Sequence, residues 1–246
     1  MSFLSGRFRT GVRVPGHAWY LIFWWDFCCL MSEWWMKFFY RLRVVGRDRI
    51  PRDGPLIFLS NHQSYYDPVI NGSVVAQRQY SAIASAHLFK FKPFGWLIRS
   101  FGAVPVAANA GDKGAIKAAL KELEAGRCVL IYPEGSRCED GHVAPFQRGI
   151  SLLIRRSKAT VVPLAIEGAF DVWPRSRAIP RLRGRVVCLV GTARTTEEII
   201  AEGTDKAMGD MRLEIDRLRL EGRAMLRERT RGRWPLEGTG EGPTPH

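Results

Sequence analysis

A chain of 246 residues, 46% of them apolar, has enough material for one sizeable core and is too apolar to be intrinsically disordered. Its 37 Lys and Arg against 24 Asp and Glu give a net charge of +13, which directs attention to anionic partners such as lipid headgroups, nucleic acid or phosphorylated substrates. Cys28, Cys29, Cys128, Cys138 and Cys188 form an odd set without a CxxC pair, a pattern of buried free thiols in a reducing compartment rather than a disulfide framework.

The first residues carry Arg7, Arg9 and Arg13 but no short leucine-rich core with a small-residue cleavage site, so a cleaved signal peptide is not expected. From Ala18 to Tyr40 the chain reads AWYLIFWWDFCCLMSEWWMKFFY, which holds five of its eight tryptophans. On a helical wheel Asp26, Glu33, Lys37 and Arg41 fall in one narrow polar stripe. A spanning helix needs about 20 apolar residues, and an ionised Asp26 would be costly at depth. The expectation is a membrane-associating segment over residues 1–42 whose helix lies in the interface or inserts partly. Tryptophan favours the headgroup level, and Lys37, Arg41 and Arg43 suit anionic lipid. A buried core helix with its stripe in water is the alternative.

Residues Arg43 to Arg49 alternate as a short strand, Pro51 to Gly54 form a turn, and the apolar run Pro55 to Ser60 reads as a buried strand. Asp67-Pro68 marks a helix start, with Asp67 as N-cap and Pro68 at the first helical position, which leaves Asn61 to Tyr66 as loop. Further strands are predicted at Tyr80 to Ser85, Ala103 to Ala107, Cys128 to Tyr132, Thr160 to Ile166 and Arg185 to Val190. Helices are predicted at Asp112 to Ala125 and Ile150 to Arg155. Strands alternating with helices predict an α/β domain over residues 43–204, with a central mixed, largely parallel sheet flanked by helices. A basic helix follows over residues 205–235, with Met208, Met211, Ile215, Leu218 and Met225 along one side. Its arginines, among them Arg217, Arg219, Arg223 and Arg227, are expected to meet water or anionic lipid. The Gly/Pro-rich residues 236–246 are expected to be a disordered tail. No nucleic-acid-binding module is visible, and the aromatic cluster sits on an apolar helix, so nucleic acid is not the expected partner.

Two segments carry chemistry. Asn61-His62-Gln63-Ser64-Tyr65-Tyr66-Asp67 leaves the carboxyl end of a buried strand, where sites form in open α/β sheets. A neutral imidazole can take a proton from an alcohol near pH 7, and a carboxylate on its other nitrogen fixes the tautomer. Taken alone, His62 and Asp67 are equally readable as a strand end and a helix cap. The second segment, Glu134-Gly135-Ser136-Arg137, breaks from the strand Cys128 to Pro133, with Gly135 suited to a tight turn and Arg137 offering a planar fork for phosphate. No G-x-S-x-G elbow exists, so Ser64 reads as a loop hydroxyl and not a nucleophile.

Together NHQSYYD, GAVPV (Gly102 to Val106), YPEGSR followed by Gly141, Phe146 and Gly149, and VVPLAIEG (Val161 to Gly168) resemble the 1-acylglycerol-3-phosphate acyltransferase family over roughly Gly46 to Gly191. The resemblance implies that His62 deprotonates a lysolipid hydroxyl, which attacks the thioester of acyl-CoA or acyl carrier protein, with Asp67 orienting the base and no cofactor. It implies that Glu134, Gly135, Ser136 and Arg137 bind the acceptor, and it points to a peripheral or monotopic enzyme on the cytoplasmic face of the cell membrane. The chain departs from the family where a lysine is common, at Ser85 and His87, and where an arginine follows GAVPV, at Ala107, Ala108 and Asn109. Lys90, Lys92, Arg99 or Lys113 are candidates to replace that charge. The acceptor expected is 1-acylglycerol 3-phosphate, yielding phosphatidate. Another lysophospholipid, a lyso-aminolipid or glycerol 3-phosphate is the alternative, and a non-catalytic basic membrane- or nucleic-acid-binding protein is the reading from a different class.

Overall fold

The computed structural model describes residues 18–76, 78–106, 111–238 and 240–244. The expectations for residues 1–17, 107–109, 239 and 245–246 lie outside the described residues. The sheet contains β1 (Arg43–Val45), β2 (Leu56–Ser60), β3 (Tyr80–Ser85), β4 (Val104–Val106), β5 (Cys128–Ile131), β6 (Thr160–Glu167), β7 (Val187–Val190) and β8 (Arg194–Thr195). The strand order is β1-β7-β6-β2-β5-β3-β4, with β8 on β6. Pairing is parallel from β6 through β2, β5 and β3 to β4, and also between β1 and β7. It is antiparallel where β6 meets β7 and β8. The sheet is therefore mixed and largely parallel, as expected.

Parallel strands need helical crossovers, and helices on both faces explain why β2, β6 and β7 are nearly continuous apolar runs. Side chains alternate between the two faces. Leu56 and Phe58 of β2 join Cys128, Leu130, Val162 and Leu164 in one core, covered by α1 (Trp19–Tyr40) and α2 (Asp67–Val74). Ile57 and Leu59 join Val129, Val161, Leu153 and Ile154 in the other. That second face is covered by α4 (Gly111–Glu124), α5 (Gly149–Arg156) and the long α8 (Thr204–Thr230), while α3 (Lys92–Ser100) and the short α6 (Ala169–Val172) and α7 (Thr196–Glu202) are the other α-helices among the described residues.

Four expectations are corrected. The strand from Arg43 stops at Val45, because Gly46 takes φ 77° and Arg47–Arg49 close a 3-10 turn. The polar stripe of α1 turns inward at its centre instead of dividing the helix from water: Glu33 is buried and pairs with Lys37 at 2.8 Å and Arg47 at 3.5 Å. Trp25, Cys29, Met36 and Tyr40 enter the core beside it, while Trp19, Phe23, Trp34 and Phe38 are exposed. Thus α1 is part of the domain it was expected to precede. The arginines of α8 do not all meet solvent, since Arg219 and Arg223 are buried. The tail is not free either. Residues 240–244 dock on α8, where Arg219 donates to the carbonyls of Gly240 and Gly242 at 2.8 and 2.9 Å.

The inward and outward faces of α1 predict opposite outcomes on substitution. Met36→Ala empties a site of zero exposure and should cost about 2–5 kcal/mol in urea unfolding. Phe38→Ala, on the exposed face, should change stability by less than about 0.5 kcal/mol.

Candidate active site

The site lies where β2 and β5 end side by side. Asn61 continues the edge of β2 with its side chain: its Nδ2 donates to the Ile166 carbonyl at 2.9 Å, and its Oδ1 accepts the Ile166 N–H at 2.7 Å. This reciprocal pair holds the chain beside β6 while the backbone turns away.

His62 then meets Asp67, with Nδ1 2.8 Å from Oδ2. The same Oδ2 accepts the backbone N–H groups of Gln63 at 2.6 Å and Ser64 at 2.7 Å. Because an ionised carboxylate only accepts, the geometry assigns the proton to Nδ1 and leaves Nε2 as the acceptor nitrogen. The loop brings the two residues together as expected, but the capping role differs. Tyr66 is the residue that precedes the first turn of α2, and the Asp67 carboxylate binds amides of the loop before the helix and not those of α2 itself. Ser64 is committed elsewhere, its hydroxyl donating to the Trp173 carbonyl at 3.0 Å and accepting the Tyr66 N–H at 3.2 Å.

Tyr132, at the end of β5, stacks its ring on His62 with centroids 3.9 Å apart. The turn that follows places Glu134 under the loop. Its Oε1 accepts the His62 backbone N–H at 2.7 Å and its Oε2 accepts the Ala144 N–H at 2.9 Å. Both carboxylate oxygens of Glu134 therefore hold backbone, whereas the family resemblance implied a role in binding the acceptor. Burial pushes the Glu134 carboxyl up to about 7, against the pull of these two amides. Gly135 takes φ 78°, and a Cβ there would lie 3.2 Å from the Gln147 side chain. Ser136 is exposed in the same turn. Arg137 lays its guanidinium 3.4 Å above the Tyr65 ring, and its Nη1 is buried without a hydrogen-bond partner among the described residues.

A cavity of about 620 Å³ opens at His62 and Gly135 and runs between β3, β5, α4 and α5, lined by Ile83, Leu88, Ala119, Ile131 and Leu153 among others. Sequence reasoning did not assign roles to Asn61, Gln63, Gln147 or Glu167. A polar residue ending an apolar strand, such as Glu167 after VVPLAI, was the available signal. Of the candidate replacement cations, Arg99 instead packs over the Phe89 ring at 4.9 Å.

Residues 41–167, just over half of the chain, match the Acyltransferase family. A chloroplastic 1-acyl-sn-glycerol-3-phosphate acyltransferase of Arabidopsis thaliana is 25% identical over 70% of this chain and 50% of its own length. A lyso-ornithine lipid O-acyltransferase of Pseudomonas aeruginosa is 25% identical over 60% of this chain and 57% of its own. The chain spans about half the length of the curated relatives it matches. The crystal structure of the 1-acyl-sn-glycerophosphate acyltransferase PlsC from Thermotoga maritima superposes with a TM-score of 0.67 at 23% identity, covering 89% of this chain and 82% of that one. At that identity the likeness establishes the fold.

The raised Glu134 pKa sets a sign for stability against pH. The folded chain retains a proton that an unfolded glutamate, at 4.5, has released, so Glu134's contribution is lost as pH rises from about 4.5 towards 7. Thermal unfolding of wild type and Glu134→Gln across that window should show wild-type stability falling relative to the variant as pH rises. Parallel curves would contradict the assignment.

Proposed function

The chain belongs to the Acyltransferase family, and from that premise we propose that it moves an acyl chain from acyl-CoA or acyl carrier protein to the free hydroxyl of 1-acylglycerol 3-phosphate, giving phosphatidate. The observation that carries the reading is the pinned imidazole. With Nδ1 held on Asp67 at 2.8 Å, Nε2 is left to serve the cavity that His62 lines and can take the proton of an acceptor hydroxyl. The alkoxide oxygen attacks the thioester carbonyl, the C–O bond forms, the C–S bond breaks, and the imidazolium returns its proton to the departing thiolate. The thioester is already activated, so the reaction needs no cofactor and no acyl-enzyme.

The other parts fit this order of events. The apolar cavity beside His62 suits an acyl chain. Arg137, braced on Tyr65, presents a guanidinium to an anionic headgroup. Ser85 and His87, standing where family members often carry lysine, favour one second reading: an acceptor with less negative charge, such as a lyso-aminolipid, the acceptor class named in the Pseudomonas relative.

The acceptor is a lipid, and the surface suits a bilayer. Among the described residues no helix is long and apolar enough to cross a membrane. Instead, the outward aromatics of α1 adjoin α3 through Trp24, which stacks on Phe101 and bonds Ser100, and Phe91 and Trp96 are exposed beside it. A loop over residues 174–184 adds exposed Ile179 and Leu182 among Arg175, Arg177, Arg181 and Arg183. It abuts both the end of α1, where Tyr40 bonds the Arg181 carbonyl, and the catalytic loop, where Trp173 packs on Tyr65. On this reading the protein sits peripherally on an anionic leaflet, at the cytoplasmic face, with the site mouth next to the lipid.

Purified protein with labelled acyl-CoA and a panel of lysolipids, products read by mass spectrometry, tests the reaction. His62→Ala should lower kcat by about 10²- to 10⁴-fold, and turnover retained in that variant would sink the mechanism. Arg137→Ala should raise KM for the phosphate-bearing acceptor more than it lowers kcat. For the membrane, replacing Trp34 and Phe38 with serine should reduce sedimentation with anionic vesicles while Tm stays unchanged. Undiminished binding would remove α1 as the docking face.

A further inference from the structure

A chain of buried polar contacts runs from residues 240–244 to the catalytic loop, and the reaction itself uses none of it. Arg219 has zero exposure and is the hub. Its Nε lies 2.8 Å from Asp216, its Nη1 lies 3.6 Å from Glu167, and it donates to the carbonyls of Gly240 and Gly242. Arg223 approaches the other Glu167 oxygen at 3.0 Å. Thr244 closes the far end: its N–H and hydroxyl both donate to Asp216, and its Oγ1 accepts the Val143 N–H at 3.1 Å.

From this hub two branches reach the site. In the first, Gln63 donates from Nε2 to Glu167 at 3.3 Å and to the Gly141 carbonyl at 3.2 Å, while its Oε1 accepts the Phe170 N–H at 3.4 Å. Gly168, two residues before Phe170, takes φ 84°, and a Cβ there would lie 2.1 Å from the Arg185 carbonyl. The backbone N–H of Gln63 is one of the three donors on the Asp67 oxygen that holds His62. In the second branch the Gly240 N–H donates to the Asp140 carbonyl at 2.7 Å and Thr244 holds Val143. The next residue, Ala144, donates to Glu134, whose other oxygen holds the His62 N–H.

We propose that Gln63, Glu167 and Arg219, clamped by residues 240–244, position the His62–Asp67 pair, so that the docked segment is a strap governing the catalytic rate. Buried ion pairs of this kind contribute little net stability compared with apolar packing, but their directional bonds fix geometry. Of these three residues, Gln63 is the one whose own backbone touches the Asp67 carboxylate, which makes its side chain the relay. Glu167 and Arg219 act through it as positioning residues. Misplacing a catalytic group by about 1 Å costs on the order of 10²-fold in rate, so a partial release should read as a moderate loss of kcat.

The inference rests on the acyl-transfer reading above, and a cycle of variants separates the two. Gln63→Met, Glu167→Gln, the double variant, a chain ending at Gly238, and that truncation combined with Gln63→Met would be assayed for kcat, KM and Tm, with amide exchange followed at residues 63 and 64. Each single change should lower kcat about tenfold with KM for acyl-CoA within about twofold. Glu167→Gln made in the Gln63→Met background should cost nothing further, because Glu167 acts through Gln63, whereas the truncation should still cost activity there, because the second branch reaches Glu134 without Gln63. Losses that multiply between Gln63→Met and Glu167→Gln, or an unchanged kcat in Gln63→Met, overturn the proposal. If Glu167→Gln does not fold, kcat and amide exchange in Gln63→Met and in the truncation decide, and a kcat within about twofold of wild type in either overturns the proposal. Should the wild type release no thiol with any lysolipid, the functional reading fails while exchange still decides the positioning: amides 63 and 64 must exchange faster once the strap is removed, and unchanged protection refutes it.

Discussion

One carboxylate oxygen organises the site. Asp67 Oδ2 receives the His62 ring N–H and two successive backbone N–H groups within 2.8 Å. Such charge-assisted bonds are short and directional, and three of them on one atom leave the loop little freedom. They also decide the protonation pattern of the imidazole, because an acceptor on Nδ1 makes Nε2 the basic nitrogen. Asp67 has no exposure, so water does not compete for it. The loop conformation and the imidazole tautomer thus follow from a single buried atom.

A second carboxylate stands beneath it. Glu134 comes from the neighbouring strand end and holds the His62 N–H that Asp67 leaves free. Two buried acids so close repel, and the negative Asp67 adds to burial in raising the Glu134 pKa. The arrangement is tolerated because the backbone donors of the loop point at one or the other. Around this pair the parallel sheet supplies rigidity: β2 is fully buried and bonded on both sides, so the loop leaves a fixed edge. The exposed aromatic elements attach to the same edge through Tyr40, Trp173 and Tyr65, with no hinge between them and the His62 loop.

The sheet was largely legible in the sequence because its strands are short apolar runs punctuated by turn residues. The strand β3 covers Tyr80–Ser85, the same residues that its strand-like run marks out. The helix α1 was legible as a helix but not in orientation. Its stripe of Asp26, Glu33, Lys37 and Arg41 has the pattern of a solvent face, yet Glu33 finds Arg47 and turns the middle of the stripe inward. The arginines of α8 have the same solvent-face pattern and depart from it for the same reason, since Arg219 and Arg223 meet Glu167 from a strand much earlier in the chain. Burial of charge depends on a distant partner, and periodicity contains no information about one.

By itself the sequence determined that two buried strands would end in polar loops, that His62 and Asp67 would be free to meet across one of them, and that an aromatic surface would accompany them. Those features are local: they depend on strand propensity, on the Asp67-Pro68 junction and on composition. Only the tertiary structure decided that Asp67 binds loop amides instead of capping α2, that Glu134 holds the backbone of His62, and that residues 240–244 close on Arg219 rather than trailing in solvent. The last two are hydrogen bonds between segments far apart in the chain, and the first depends on how the loop is folded against them. Each exists because packing brings a donor within about 3 Å of an acceptor.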